Sequence, residues 1–192
     1  MNYIAGNNSF LSREELENYG FASVGQNVLI SRKASIYSPE LISLADNVRV
    51  DDFCCLSGLI VLGCNTHVTP YCLFAGGSEG ILSGDFCTFA YRVSIFSQSD
   101  DYLGNSMANS TIPSCFKIEK KAQINISNHV IIGASSVVMP GVYLAEGTSI
   151  GASSLMTKST EPWGVYFGIP AVRRQERSKN ILKIVDDYRT QI

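Results

Sequence analysis

Histidine is scarce in this chain: only His67 and His129 occur among 192 residues. The six cysteines form no C-x-x-C pair, and no Cys/His spacing fits a zinc site. No metal site is therefore expected. No run of eighteen apolar residues exists, which excludes a spanning helix of the ordinary kind. The first residues, MNYIAGNNSF, lack the charged-then-apolar order of a secretory signal. The expected location is the cytoplasm, where the cysteines are small core residues rather than disulfides. Net charge is only −2, so there is no basic footprint for nucleic acid. The length suits a single domain over residues 1–192.

What the chain has instead is a period. From Ile126 to Met156 an apolar residue stands at every sixth position: Ile126, Ile132, Val138, Leu144, Ile150 and Met156. Four residues after each of the first five comes a small or β-branched one: Val130, Ser136, Val142, Thr148, Ser154. Six is a multiple of the strand period of two but not of the helical 3.6. Each repeat is thus a short strand and a corner, with one large and one small side chain pointing inward. Three such sides close a triangular coil of eighteen residues, and stacked coils rise about 4.8 Å each. The same period runs from Leu44 through Val50, Leu56, Leu62 and Val68 to Phe74, and resumes three residues late at Ser83, Phe89 and Ile95. Gly76 to Gly80 mark the first interruption, read as a corner insertion. Cys54 and Cys72, eighteen apart, are expected to stack in successive coils.

The flanks are different. Ser12 and Glu15 form a capping box, which predicts a helix over residues 12–20 ended by Gly20. The repeats over 24–160 begin raggedly, because Pro39 and Glu40 disturb the third. A polar stretch, 97–121, has no sixfold period and is read as a long inserted loop of functional significance. Ile181, Leu182, Ile184, Val185 and Tyr188 lie at helical spacing, predicting a C-terminal helix over 172–190 that covers an open side or end.

The stretch IIGASSVVMPGVYLAEGTSIGASSLMTK and the later YFGIPAVRR resemble the C-terminal half of the hexapeptide-repeat acyltransferases, among them the galactoside, maltose and xenobiotic acetyltransferases and many surface-polysaccharide sugar acetyltransferases. The resemblance implies a left-handed parallel β-helix with a protruding loop, a homotrimer, and acetyl-CoA as acyl donor. The general rule for strand crossovers would give the opposite hand, so handedness rests on the resemblance alone. It also implies pantetheine along the C-terminal coils against Ala134 and Ala152, with Thr157, Lys158, Arg173 and Arg174 near the phosphates.

Acyl transfer to a hydroxyl requires a base. The family's usual histidine at the start of the loop is missing here; the matching stretch, Phe96-Ser97-Gln98-Ser99-Asp100-Asp101-Tyr102, has two aspartates. Candidate catalytic residues are therefore His67, Asp100, Asp101 and His129, with His67 favoured as the base. His67 and His129 are expected on the same edge of the prism, about two coils or roughly 10 Å apart. The leading expectation is O-acetylation of a sugar hydroxyl in surface-polysaccharide (O-antigen or capsule) synthesis. The alternative is N-acetylation of an aminosugar carried on a nucleotide, because a neutral amine needs less help from a base. A purely structural trimer is a third reading, opposed by the basic cluster and the intact G-I-P-A turn.

Overall fold

The structure, a computed structural model, describes residues 9–190; most of the stretch read for a leader lies outside them. Parallel strands wind into a three-sided β-helix of about seven turns. Side one carries residues 23–24, 42–44, 60–62, 81–83, 124–126 and 143–144. Side two runs from 29–30 through 49–50, 67–68, 88–89, 131–132 and 149–150 to 164–168. Side three stacks 35–37, 55–57, 73–75, 94–96, 137–138 and 155–156.

The sixfold pattern is the core. Leu44, Val50, Leu56, Leu62, Val68, Phe74, Phe89, Ile95, Ile132, Val138, Leu144 and Ile150 are all buried, as are the small partners Val130, Ser136, Thr148 and Ser154. Phe74 and Phe89 meet edge to face, 4.8 Å between ring centres. Cys54 and Cys72 lie in register between adjacent coils, and all six cysteines are free thiols. The glycine interruption is a bulged strand, Leu73–Ser83, turning the corner from side three to side one. Gly58 and Gly77 stack there with positive φ, so close that a Cβ on Gly58 would lie 2.5 Å from the Gly77 nitrogen.

The capping box at Ser12 and Glu15 is present, and α1 spans Arg13–Asn18. Glu15 also takes a bidentate pair from Arg32, at 2.8 and 2.6 Å, which fastens the helix to the first coil. That guanidinium, with the Ser12 N–H, holds the Glu15 carboxyl down to about 2. Pro39–Leu41 form a 3₁₀ turn, the physical source of the ragged third repeat.

The C-terminus corrects one expectation. Residues 171–176 are not helical: Ala171–Glu176 is a strand that returns antiparallel along Gly164–Gly168. The last strand of side two offers an unpaired edge, and the chain fills it before doing anything else. The helix, α2, starts only at Asn180 and runs to Arg189. It packs along the corner between sides one and two, where Tyr188 reaches Asn65 at 3.3 Å and meets the Phe86 ring edge-on.

Candidate active site

The inserted loop leaves side three after Phe96 and re-enters side one at Ile124. A two-residue antiparallel ladder, Gln98 with Lys121 and Ser99 with Lys120, closes its base. Ser97 Oγ donates to the carbonyls of Ala75 and Gly76, fixing the exit direction. Between the loop and side three lies a cavity of about 470 Å³. Its floor is apolar: Phe96, Val137 and Met139. Its walls are polar: Gln98, Ser99, Asp100, Asn109, Ser110, Lys117 and Glu119, with Tyr102.

The two aspartates divide their work. Asp101 accepts the backbone N–H groups of Leu103 (2.8 Å), Asn105 (2.6 Å) and Ser106 (3.0 Å). Those bonds, led by Leu103, keep its carboxyl below the usual range. It is the knot that shapes the loop. Asp100 faces the cavity and, among the described residues, takes one long bond, from the Asn109 N–H at 3.2 Å. Most of its acceptor capacity is free for a ligand.

The histidines are elsewhere. His67 lies on side two, half-exposed, with Nε2 2.7 Å from Asp51 Oδ2; Arg49 Nε donates to the other oxygen, also at 2.7 Å. Sequence reading missed Asp51. The signal was available: Arg49 and His67 are eighteen apart, hence stacked, and Asp51 shares the outward face of Arg49.

His129 is not in His67's column. It sits two residues earlier in its own coil, at the corner, with φ 62°. Its ring lies on Phe86, 5.3 Å away, and under Trp163 at 6.3 Å. Gly147, in the coil between, makes room: a Cβ there would come within 2.5 Å of the indole. Arg177 donates to the carbonyls of His129 (2.6 Å) and Gly147 (3.0 Å), a tie that no sequence signal announced. His129 is thus part of the corner stack, 6% exposed, with Nδ1 shut from solvent and without a hydrogen-bond partner among the described residues.

Burial pushes the His129 pKa down, with Arg189 and Arg177 adding to the shift and Glu146 and Asp85 opposing it. The unfolded chain therefore binds the proton more readily than the folded one. This contribution to stability is full above the unfolded value of about 6.5 and is lost as pH falls through the lowered folded value. Thermal unfolding midpoints should start to drop as pH falls below about 6.5 and go on dropping through the lowered folded value, and His129→Phe should flatten that slope. An unchanged slope in the variant would count against the assignment.

The proposed donor residues are dispersed. Ala134 and Ala152 lie at the corner between sides two and three, where Ser153 N–H bonds the Ala134 carbonyl at 2.8 Å. The glycines before them permit close coil stacking: a Cβ on Gly133 would fall 2.4 Å from the Ala152 nitrogen. Arg174 rests over the Phe167 ring, 5.3 Å from its centre, while Arg173 is paired with Glu176 at 2.7 Å. Arg174 is the extra residue of a bulge, where the ladder steps from Arg173 opposite Tyr166 to Gln175 opposite Val165. Thr157 and Lys158 are exposed at the far end of side three.

The chain is 40% identical over 179 residues to the dTDP-4-amino-4,6-dideoxy-D-glucose acyltransferase of Escherichia coli, covering 92% of this chain and 93% of that one. It superposes on AntD, an N-acyltransferase from Bacillus cereus solved with dTDP and 3-hydroxybutyryl-CoA, with a TM-score of 0.94, 41% identity, and 96% and 98% coverage. This chain belongs to the hexapeptide-repeat acyltransferases. No family model matches it. A galactoside acetyltransferase in complex with coenzyme A, 21% identical, gives a TM-score of 0.55 over 88% of this chain and 71% of that one, which shows the shared fold. This acyltransferase uses a CoA thioester as donor. Among the described residues, no helix is long and apolar enough to cross a membrane.

Proposed function

We propose that the protein N-acylates the amino group of a nucleotide-linked aminosugar, with a dTDP-4-amino-4,6-dideoxyhexose as the acceptor and an acyl-CoA as donor. The observation that carries this reading is the near-complete match to two enzymes whose names specify N-acylation or that acceptor. A point mutant of AntD has also been solved with dTDP-4-amino-4,6-dideoxyglucose and coenzyme A. The site agrees with it chemically. The cavity holds a carboxylate with spare acceptor capacity, Asp100, and no histidine lines it. A hydroxyl acceptor would call for a base near neutral pH, whereas an amine that arrives in its neutral form, its ammonium proton left to solvent, is nucleophilic without one. This favours the alternative raised by the sequence over the hydroxyl acceptor. The apolar floor suits a 6-deoxy carbon or the acyl chain.

In this reading Asp100 accepts a hydrogen bond from the amine and turns its lone pair toward the thioester carbonyl. Nitrogen adds to that carbon, the C=O pair moves onto oxygen, and collapse expels CoA as the thiolate, which takes up the proton that nitrogen gives up. The site is shared within a homotrimer: Tyr102, Leu103, Phe116 and Ile118 stand exposed on the loop, and Ile131 on side two, an arrangement that needs an apolar partner. The donor arm follows Ala134 and Ala152, with Arg174 and Lys158 toward the phosphates.

The test is an assay of purified protein with acetyl-CoA or 3-hydroxybutyryl-CoA, against the dTDP-aminosugar and its 4-hydroxy counterpart. Amide product with the amine and none with the alcohol is expected; ester product would return the reading to O-acylation. His67→Asn should keep turnover within about tenfold, well short of the full worth of a general base. A larger loss would place His67 in the shared site.

A further inference from the structure

We propose that Lys117 is the anion-binding group of the cavity, contacting negatively charged oxygen of the reacting complex; this rests on the function proposed above. The side chain of Lys117 is 10% exposed, yet its ammonium has one partner among the described residues, Glu119 Oε1 at 3.3 Å. Charge-assisted bonds of this type are ordinarily 2.7–2.9 Å. Glu119 is held more closely by Lys121, at 3.1 Å through its other oxygen. An ammonium has three donors, so two of those on Lys117 are unspent at the wall of a cavity. A buried cation with a single loose partner is costly unless a ligand completes its shell.

The cavity lining carries groups of both kinds. Asp100 offers free carboxylate lone pairs, and Lys117 offers free ammonium donors. An aminosugar nucleotide presents matching chemistry: an amine and a diphosphate. The thioester supplies a second anion during reaction, because the C=O pair resides on oxygen once nitrogen has added. Both sources are anionic oxygen, and they separate in kinetics. A diphosphate contact acts on binding, and an oxyanion contact acts on the chemical step. Glu119 is then a positioning residue that keeps the lysine extended along the wall.

The experiment uses the full chain with Lys117→Met, Lys117→Arg and Glu119→Gln, reading kcat, KM and dTDP affinity by calorimetry. If Lys117 meets the diphosphate, Lys117→Met weakens dTDP binding by about tenfold or more. If it meets the oxyanion, dTDP binding holds and kcat falls by about 10²-fold or more. In either case Lys117→Arg, which keeps the charge, recovers most of the loss. Glu119→Gln, which loosens the lysine's position but leaves its charge at the cavity, loses a few-fold in the same readout, clearly less than Lys117→Met. The inference is overturned if Lys117→Met matches wild type in both readouts. It is also overturned if Glu119→Gln loses as much as Lys117→Met, because the pair is then only structural. A wild type that binds dTDP but acylates no amine fails the functional reading alone; one that does neither overturns both.

Discussion

Asp100→Asn should lower kcat by about 10²-fold or more while KM for acyl-CoA stays nearly constant. The residue lines the cavity, and its one partner among the described residues is the Asn109 N–H at 3.2 Å. Asparagine keeps the shape but replaces one acceptor oxygen with a donor, which turns the acceptor amine the wrong way. Positioning of a nucleophile is lost most in the transition state, so the loss belongs in kcat. Asp101→Asn should behave differently. Its carboxylate binds three backbone N–H groups, so the neutral amide should loosen the loop, visible as faster amide exchange over 102–106. Near-normal turnover in Asp100→Asn would remove the carboxylate from the reaction.

Phe89→Ala should destabilise the fold by about 3–5 kcal/mol, read by denaturant unfolding. Phe89 is fully buried on side two and meets Phe74 of side three edge to face. Its removal leaves a cavity inside a stack of short rigid strands that cannot collapse far, and it breaks the aromatic pair, itself worth about 0.5–1.5 kcal/mol. By contrast, Tyr91→Ala, two positions on and 58% exposed, should cost little. A Phe89→Ala protein within about 1 kcal/mol of wild type would mean that the coils repack, contrary to close-packed interiors.

The fold was legible because a period-six pattern states both the strand and which side chains point inward. Leu44, Val50, Ile132 and Ile150 needed no tertiary knowledge to place. The strand at 171–176 was illegible because its cause lies outside itself. Arg173, Arg174, Gln175 and Glu176 have no apolar alternation, and they become a strand because the preceding edge is bare. The site was half legible. The loop announced itself by losing the period, but the choice between Asp100 and Asp101 depends on which backbone N–H groups the loop turns inward. Lys117, Glu119 and Lys121 do alternate, and Glu119 does bridge the other two. Nothing in that alternation says that the loop brings Lys117 and Glu119 to a cavity.

The loop's two ends have a consequence of their own. Phe96 pairs with Ala75 on side three, and Ile124 resumes opposite Ile81 on side one, in the places the next six-residue step would have occupied. The excursion therefore costs the stack no register. Each coil leans only on its neighbours, and the loop is cinched by a two-residue ladder at its neck. Frame and insertion are thus mechanically separate: the loop contributes cavity wall without setting the register of the coils. The segment from Ser97 to Gln123 can therefore vary in length or sequence without displacing the strands on either side of it.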